Sequence, residues 1–143
     1  MRQRHIAPGG GDDYDWSQDH VFVKAPLELS QGRVTLVEDT LKPGFTLPRH
    51  HHRSMVEIFY MLDGAVTFTF DDEQLDATTG STMIVPPGVW HHVASPAGAR
   101  LLTLFTPGGF DHYLAELAAM TPDQLADPAT VGLLGEKHDI WTR

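Results

Sequence analysis

Short apolar runs recur along the first three-quarters of the chain, and polar turn-forming residues separate them. The runs are rich in Val, Ile, Thr and Phe, residue types that favour strands. They cover residues 20–24, 33–39, 57–62, 65–70, 81–86, 90–95 and 100–106. The turn signals between them include Pro43-Gly44, Asp63-Gly64 and Thr79-Gly80. Many short strands joined by tight turns predict an all-β sandwich or barrel, and a jelly roll is the form with two packed sheets around a cavity.

The pattern changes to helical spacing after Pro107. The apolar positions of this part are Phe110, Tyr113, Leu114 and Leu117. Their spacing places them on one face of a helix. Thr121 and Gln124 form a capping box with proline between them, which predicts a second short helix, and Asp127-Pro128 predicts a third start. We expect these helices to pack on the outside of the sandwich.

The chain divides into three parts without a second globular domain. Residues 1–20 are polar and glycine-rich, so we expect a flexible N-terminal arm. Residues 21–107 contain the predicted strands and form the β-barrel. Residues 108–143 form a C-terminal helical segment that packs on the barrel.

Composition narrows the functional classes. The 143 residues carry a formal net charge of -9, and an acidic surface disfavours nucleic acid as a partner. No apolar run is long enough for a membrane helix, and the first residues lack a signal peptide, so we expect a cytoplasmic protein that does not bind membranes. Cysteine is absent, so any metal ion must be held by His, Asp or Glu.

A run of three histidines, His50-His51-His52, is followed by Glu57. In a strand, residues i and i+2 share a face, so His50 and His52 point one way and His51 points the other way. Their Cα atoms are then about 6.5 Å apart, from which two imidazoles can reach one ion. Glu57 is out of phase with them, and a turn or bulge at Arg53-Ser54 would bring it to the same face.

A second pair, His91-His92, follows the turn formed by residues 86–88. Only one of the two can face inward, and the tight turn favours His91. Glu57 shares its face with apolar neighbours, where a carboxylate is costly unless a charge compensates it. A bound cation would offset this cost.

The first motif of the cupin superfamily, G-x5-H-x-H-x4-E-x6-G, matches this chain at every defined position. The matching residues are Gly44, His50, His52, Glu57 and Gly64. The second motif, G-x5-P-x-G-x2-H-x3-N, is matched by Gly80, Pro86, Gly88 and His91, with Ser95 in place of the final Asn. The chain therefore resembles the cupin superfamily, which implies a cupin jelly roll with short C-terminal helices.

The resemblance implies that His50, His52, Glu57 and His91 bind one divalent transition metal ion. The ion could be Fe, Mn, Ni, Co, Cu or Zn, since mixed nitrogen and oxygen ligands do not choose between them. In similar quercetinase-like cupins, the residue corresponding to Glu57 is suggested to act as a catalytic general base. Cupins usually associate through an outer sheet or exchanged N-terminal strands, so we expect a homodimer.

Aromatic and methionine residues near the motifs are candidates for a substrate pocket, although each also suits the core. They are Phe45, Phe59, Met61, Met83 and Trp90. Such a pocket suits a flat apolar small molecule. The first hypothesis is a metal-dependent dioxygenase acting on an aromatic, polyphenolic or polyketide substrate. The alternatives are a non-redox polyketide cyclase or isomerase and a small-molecule-binding cupin without catalysis.

Overall fold

The computed structural model describes residues 3–143. The strands are β1 (Asp13–Asp15), β2 (Asp19–Ala25), β3 (Thr35–Leu41), β4 (Phe45–His50), β5 (Val56–Phe70), β6 (Gln74–Thr78), β7 (Thr82–Val85), β8 (His91–Ser95) and β9 (Ala99–Thr106). The helices are α1 (Phe110–Ala118), α2 (Pro122–Leu125) and α3 (Pro128–Lys137). Within the described residues, no helix is long and apolar enough to span a membrane.

Strand β5 connects two antiparallel sheets. Its first part pairs with β9 and β7, whereas its second part, from Ala65 onward, pairs with β6 and β8. One sheet therefore has the order β1-β2-β3-β9-β5-β7, and the other has the order β4-β8-β5-β6. The two sheets pack face to face as a jelly roll, and the C-terminal helices follow β9. The all-β fold class predicted from the sequence is confirmed.

Two clusters of buried apolar side chains form the core. The larger cluster lies between the sheets and includes Met61, Phe68 and Val85. The second cluster joins Val21 and Phe105 of the first sheet to α1 and its neighbourhood. Alternate residues along the strands supply both clusters, as the two-residue period of a strand requires.

The turn predicted at Asp63-Gly64 is wrong, because β5 continues through these residues as one strand. A register shift between Met61 and Asp63 marks a bulge there. Gly64 has φ of 80°, and a Cβ at this position would lie 2.7 Å from the carbonyl oxygen of Gly98. The glycine therefore permits close approach of β9 rather than a reversal of the chain.

Strand β1 lies inside residues 1–20, the stretch that we expected to be a flexible arm. Tyr14 pairs with Val21, and the side chains of Asp13 and His20 are 2.7 Å apart. The sheet therefore begins within this stretch, because local charge pairing and cross-strand contacts compensate for its polar composition. Strand β4, which contains Pro48, was also not predicted; as an edge strand it tolerates the missing N–H group.

The predicted helix starts agree with the structure. Thr121 and Gln124 form a reciprocal capping box, and Asp127 caps α3 by accepting a hydrogen bond from the backbone N–H of Ala129. Helix α3 passes through both Gly132 and Gly135. A Cβ at Gly135 would lie 3.1 Å from the carbonyl oxygen of Ile140, so this glycine allows close packing, whereas a Cβ at Gly132 would meet no atom within 4 Å.

Candidate metal centre

Three histidine side chains converge on the inner face of the jelly roll. His50 is the last residue of β4 and lies opposite His91, the first residue of β8. His52 follows two residues after His50. The ring centroids are 4.2 Å apart for His50 and His91, 5.2 Å for His50 and His52, and 5.4 Å for His52 and His91. One ring nitrogen from each lies within 4.8 Å of the others, so the triad could hold a metal ion.

Each ring is oriented by a hydrogen bond from Nδ1 to a backbone carbonyl oxygen. The acceptors belong to Pro48 (2.7 Å from His50), Val89 (2.9 Å from His91) and Asp139 (2.8 Å from His52). Because a carbonyl only accepts, Nδ1 carries the proton, and Nε2 of a neutral ring keeps its lone pair. Nε2 of His52 and Nε2 of His91 are buried without a hydrogen-bond partner among residues 3–143. Buried acceptor nitrogens that face one another fit a bound cation.

Glu57 lies beside the triad on β5 and is buried. Its Oε2 is 2.9 Å from Nε2 of His52. This contact does not meet hydrogen-bond geometry, so Nε2 of His52 has no hydrogen-bond partner although a carboxylate lies next to it. Burial alone would raise the pKa of Glu57, but the nearby imidazole of His52 outweighs burial and lowers this pKa below its ordinary value. Glu57 is therefore favoured as a carboxylate.

Burial sets the charge of two of the three rings. It lowers the pKa of His50 to about 4, and the neighbouring ring of His91 adds to this effect. It also lowers the pKa of His91. At His52, burial lowers the pKa, but contact with Glu57 opposes it and the pKa is raised overall. Neutral rings at His50 and His91 are the protonation states that metal binding requires.

The C-terminal segment supplies a residue that the sequence did not reveal. The carboxylate of Asp139 accepts hydrogen bonds from the backbone N–H groups of Arg53 (2.7 Å), Ser54 (2.8 Å) and Met55 (2.8 Å). These contacts hold the bend at Arg53–Ser54 that turns Glu57 toward the histidines. Asp139 thus fixes the bend through its side chain and orients His52 through its carbonyl oxygen.

A cavity of about 500 Å³ opens next to the triad. His50, His52 and Glu57 lie at one end of it. Its wall is mainly apolar. The wall includes Phe45, Leu47, Phe59, Val66, Val93, Leu101, Phe105, Phe110, Val131 and Ile140. Residues of α3 therefore cover part of the cavity.

Of the five pocket residues expected from the sequence, the structure places Phe45 and Phe59 in the wall and the other three elsewhere. Met61 is only 1% exposed and belongs to the core between the sheets. Met83 pairs with Phe59 across the sheet and packs against that core. Trp90 contacts His51 and lies under the guanidinium group of Arg49.

His51 and His92 lie outside the triad, as strand alternation predicts. His51 exchanges backbone hydrogen bonds with Trp141, so it ties the end of β4 to the C-terminal segment. Nε2 of His92 is 3.2 Å from the hydroxyl oxygen of Thr46 on β4.

Residues 37–106 match the family model of the cupin domain, Cupin_2. This stretch contains the three histidines of the triad and Glu57. Together with the fold, it shows that the chain belongs to the cupin superfamily. No curated protein matches the chain significantly.

Solved structures share the fold at low sequence identity. KdgF from Halomonas sp. is 17% identical with a TM-score of 0.67, and the match covers 76% of this chain and 99% of that chain. Ectoine synthase from P. lautus is 17% identical with a TM-score of 0.67, covering 81% and 85%. The polyketide cyclase RemF from Streptomyces resistomycificus is 15% identical with a TM-score of 0.65, covering 73% and 80%. Such identities show a common fold and not a common reaction.

Proposed function

We propose that this protein is a metal-dependent enzyme acting on an aromatic, polyphenolic or polyketide-type small molecule. One observation carries the proposal: His50, His52 and Glu57 line a cavity whose other walls are mainly apolar, and His91 completes the buried triad next to them. A structural metal site would be enclosed by its ligands, whereas an open side next to a cavity of about 500 Å³ is typical of a substrate site.

His50, His52, His91 and Glu57 would hold one divalent transition metal ion. Three imidazole nitrogens and one carboxylate oxygen suit Fe, Mn, Ni, Co, Cu or Zn, and the absence of cysteine from the sequence removes thiolate ligation. When bound, such an ion supplies a Lewis acid for substrate oxygen atoms and, if redox-active, a route for electrons.

The chain's own residues have three tasks in this proposal. The aromatic and aliphatic wall binds the rings of the substrate and excludes water. The carbonyl acceptors at Nδ1 keep the imidazoles fixed during the reaction. Glu57 would serve as a ligand and, when released from the ion, as the general base: its carboxylate can then take a proton from a substrate hydroxyl group.

Two reaction classes fit these tasks. The first is dioxygenation, which the complete ligand set and the aromatic wall support. The second is non-redox cyclisation or isomerisation, in which proton transfer by Glu57 is the central step. The likeness of the fold to the polyketide cyclase RemF supports this second candidate. We further propose that the protein is cytoplasmic and forms a homodimer.

The decisive experiment measures turnover of a flavonol and polyketide panel in air and under strict anoxia, with protein reconstituted with each candidate metal. Oxygen consumption with product only in air would establish the dioxygenase, and equal product without oxygen would establish the cyclase or isomerase. Glu57→Gln should lower turnover by about 10²–10⁴-fold in either case. His92→Gln is the matched control, since His92 lies outside the triad. No turnover and no binding of any panel member would refute the proposed substrate class.

A further inference from the structure

A single acidic side chain interrupts the apolar wall of the cavity on β3. Asp39 lines the cavity together with its strand neighbours Val37 and Leu41. In the register it lies opposite Val21 of β2 and Leu101 of β9, both of which are buried. Asp39 therefore belongs to the inner face of the sheet, where an acidic group without a role is costly.

The buried oxygen of Asp39 lacks an ordinary partner. Its Oδ1 is buried, and no donor among residues 3–143 hydrogen-bonds to it. The neighbouring polar group is the carboxyl of Asp19, a diagonal neighbour on the same face of β2. Two carboxyl groups in contact share a proton, because both cannot ionise at close range.

The surroundings keep this proton on Asp39. Burial, reinforced by the carboxylate of Asp19, raises the pKa of Asp39 to about 9. The basic side chains of Lys42 and His20 favour the charged form of Asp19 and not that of Asp39. The ammonium group of Lys42 is also bound by Asp15 at 2.6 Å. A protonated Asp39 can donate its one O–H to Asp19, which leaves its other carboxyl oxygen as a hydrogen-bond acceptor for a molecule in the cavity.

Asp39 and the histidines lie at different levels of the cavity. Through Leu101, Asp39 is in register with Met61 of β5, four residues beyond Glu57 on the same strand. Four residues of a strand span about 13 Å, and the two strand spacings from β3 to β5 span about 10 Å. The side chains of Asp39 and the histidines, a bound ion and a hydrogen bond occupy part of the distance between these two backbone positions. The space that remains between them is about the length of a molecule of two or three rings.

We propose that Asp39 is the second polar anchor of the cavity, accepting a hydrogen bond from a hydroxyl group at the end of the substrate remote from the histidines. This inference rests on the proposed function and narrows its substrate class. The substrate is an elongated apolar ring system that carries oxygen at both ends: one end lies at the histidine triad and the other bears a hydroxyl group for Asp39.

The test compares the binding of flavonol with that of its singly hydroxylated derivatives by fluorescence titration. The protein is loaded with zinc, which cannot support redox turnover. Wild type should bind at least one derivative about fivefold or more tightly than flavonol itself. Asp39→Leu should bind that derivative and flavonol equally, because the acceptor is lost while the apolar wall is kept. Asp39→Asn should retain the preference, since its amide oxygen still accepts.

Asp72→Asn is the matched control, because Asp72 is exposed in the turn between β5 and β6. Asp39→Ala replaces the leucine variant if that variant does not fold. A preference that survives in both apolar variants, or that is absent from wild type, overturns the role of Asp39 while leaving the proposed function intact. Failure of wild type to bind flavonol or any derivative overturns the proposed substrate class and the inference together.

Discussion

Replacing Asp139 by Asn tests whether the C-terminal segment builds the candidate metal centre. Asp139 has φ of 65°, a left-handed conformation that Asn tolerates, so the variant adds little backbone strain. It removes the charge and places an NH₂ group against backbone N–H donors. The contacts at stake are the three hydrogen bonds that the carboxylate accepts from the N–H groups of residues 53–55, at 2.7–2.8 Å, and a fourth from the indole N–H of Trp141 at 3.0 Å.

The expected loss follows from those contacts. A hydrogen bond to a charged acceptor contributes about 1.5–3 kcal/mol, and partial exposure of Asp139 reduces this to about 1 kcal/mol each. We therefore expect the free energy of unfolding to fall by about 2–3 kcal/mol, a large share of a typical total. Because the acceptor of His52 shifts with the bend, zinc affinity should also fall by about 10–100-fold. Urea titration and competition with a zinc chelator measure the two effects.

The pH dependence provides a sharper check. Burial favours the neutral carboxyl, but the backbone N–H groups of residues 53–55 outweigh it and hold the pKa of Asp139 below its usual range. Its stabilisation is therefore complete above an unfolded pKa of about 3.9 and is lost as the pH falls through the lower folded value. The stability difference between wild type and Asp139→Asn should shrink below about pH 4. Asp123→Asn, an exposed change in α2, is the control. A loss below about 0.5 kcal/mol, or a difference independent of pH, would contradict the reasoning.

Three further predictions follow from the site and the outer surface. His50→Ala and Glu57→Ala should abolish near-stoichiometric metal content, measured by mass spectrometry on tag-free protein; unchanged content would remove them from the ligand set. The metal-free protein should lose about 2–3 kcal/mol of stability as the pH falls from about 6.5 to 4, because His50 binds a proton in the unfolded state but stays neutral in the folded state. In urea titrations, His50→Gln should weaken this pH dependence. Ile84 is 58% exposed on the outer face of the first sheet, next to half-buried Ile58, and we expect it to contact a second copy of the chain. Ile84→Glu should therefore convert a dimer to a monomer in light scattering. A monomeric wild type would refute this.

The sequence predicted the histidine part of the site because its determinants are local. Alternation places His50 and His52 on one face, and the turn before His91 orients that ring. Each of these features needs only a few neighbouring residues. The bend at Arg53–Ser54 was also expected from the phase of Glu57, although the group that holds it was not.

Depth in the cavity and contacts between distant segments could not be predicted. Alternation gives Phe59 and Met61 the same inward face, yet only Phe59 lines the cavity, whereas Met61 packs into the closed core. Asp139 is 87 residues from His52 in the sequence, and nothing in the short segment around it indicates a ligand-orienting role. Asp39 likewise has no local signal, because its partner Asp19 reaches it only through the pairing of β2 with β3.

The three rings are oriented in different ways, and one of them depends on the C-terminal segment, which therefore influences the candidate metal site. His50 and His91 donate to carbonyl oxygens only two residues before them, so neighbouring residues of the chain hold these two rings. His52 instead depends on the carbonyl oxygen of Asp139, directly after α3, and α3 forms part of the cavity wall. If a substrate packs against α3, we expect it to stabilise the position of this acceptor. By linkage, zinc bound at His52 should then strengthen substrate binding by the same factor as substrate strengthens zinc binding, and titrating each in the presence of the other measures this.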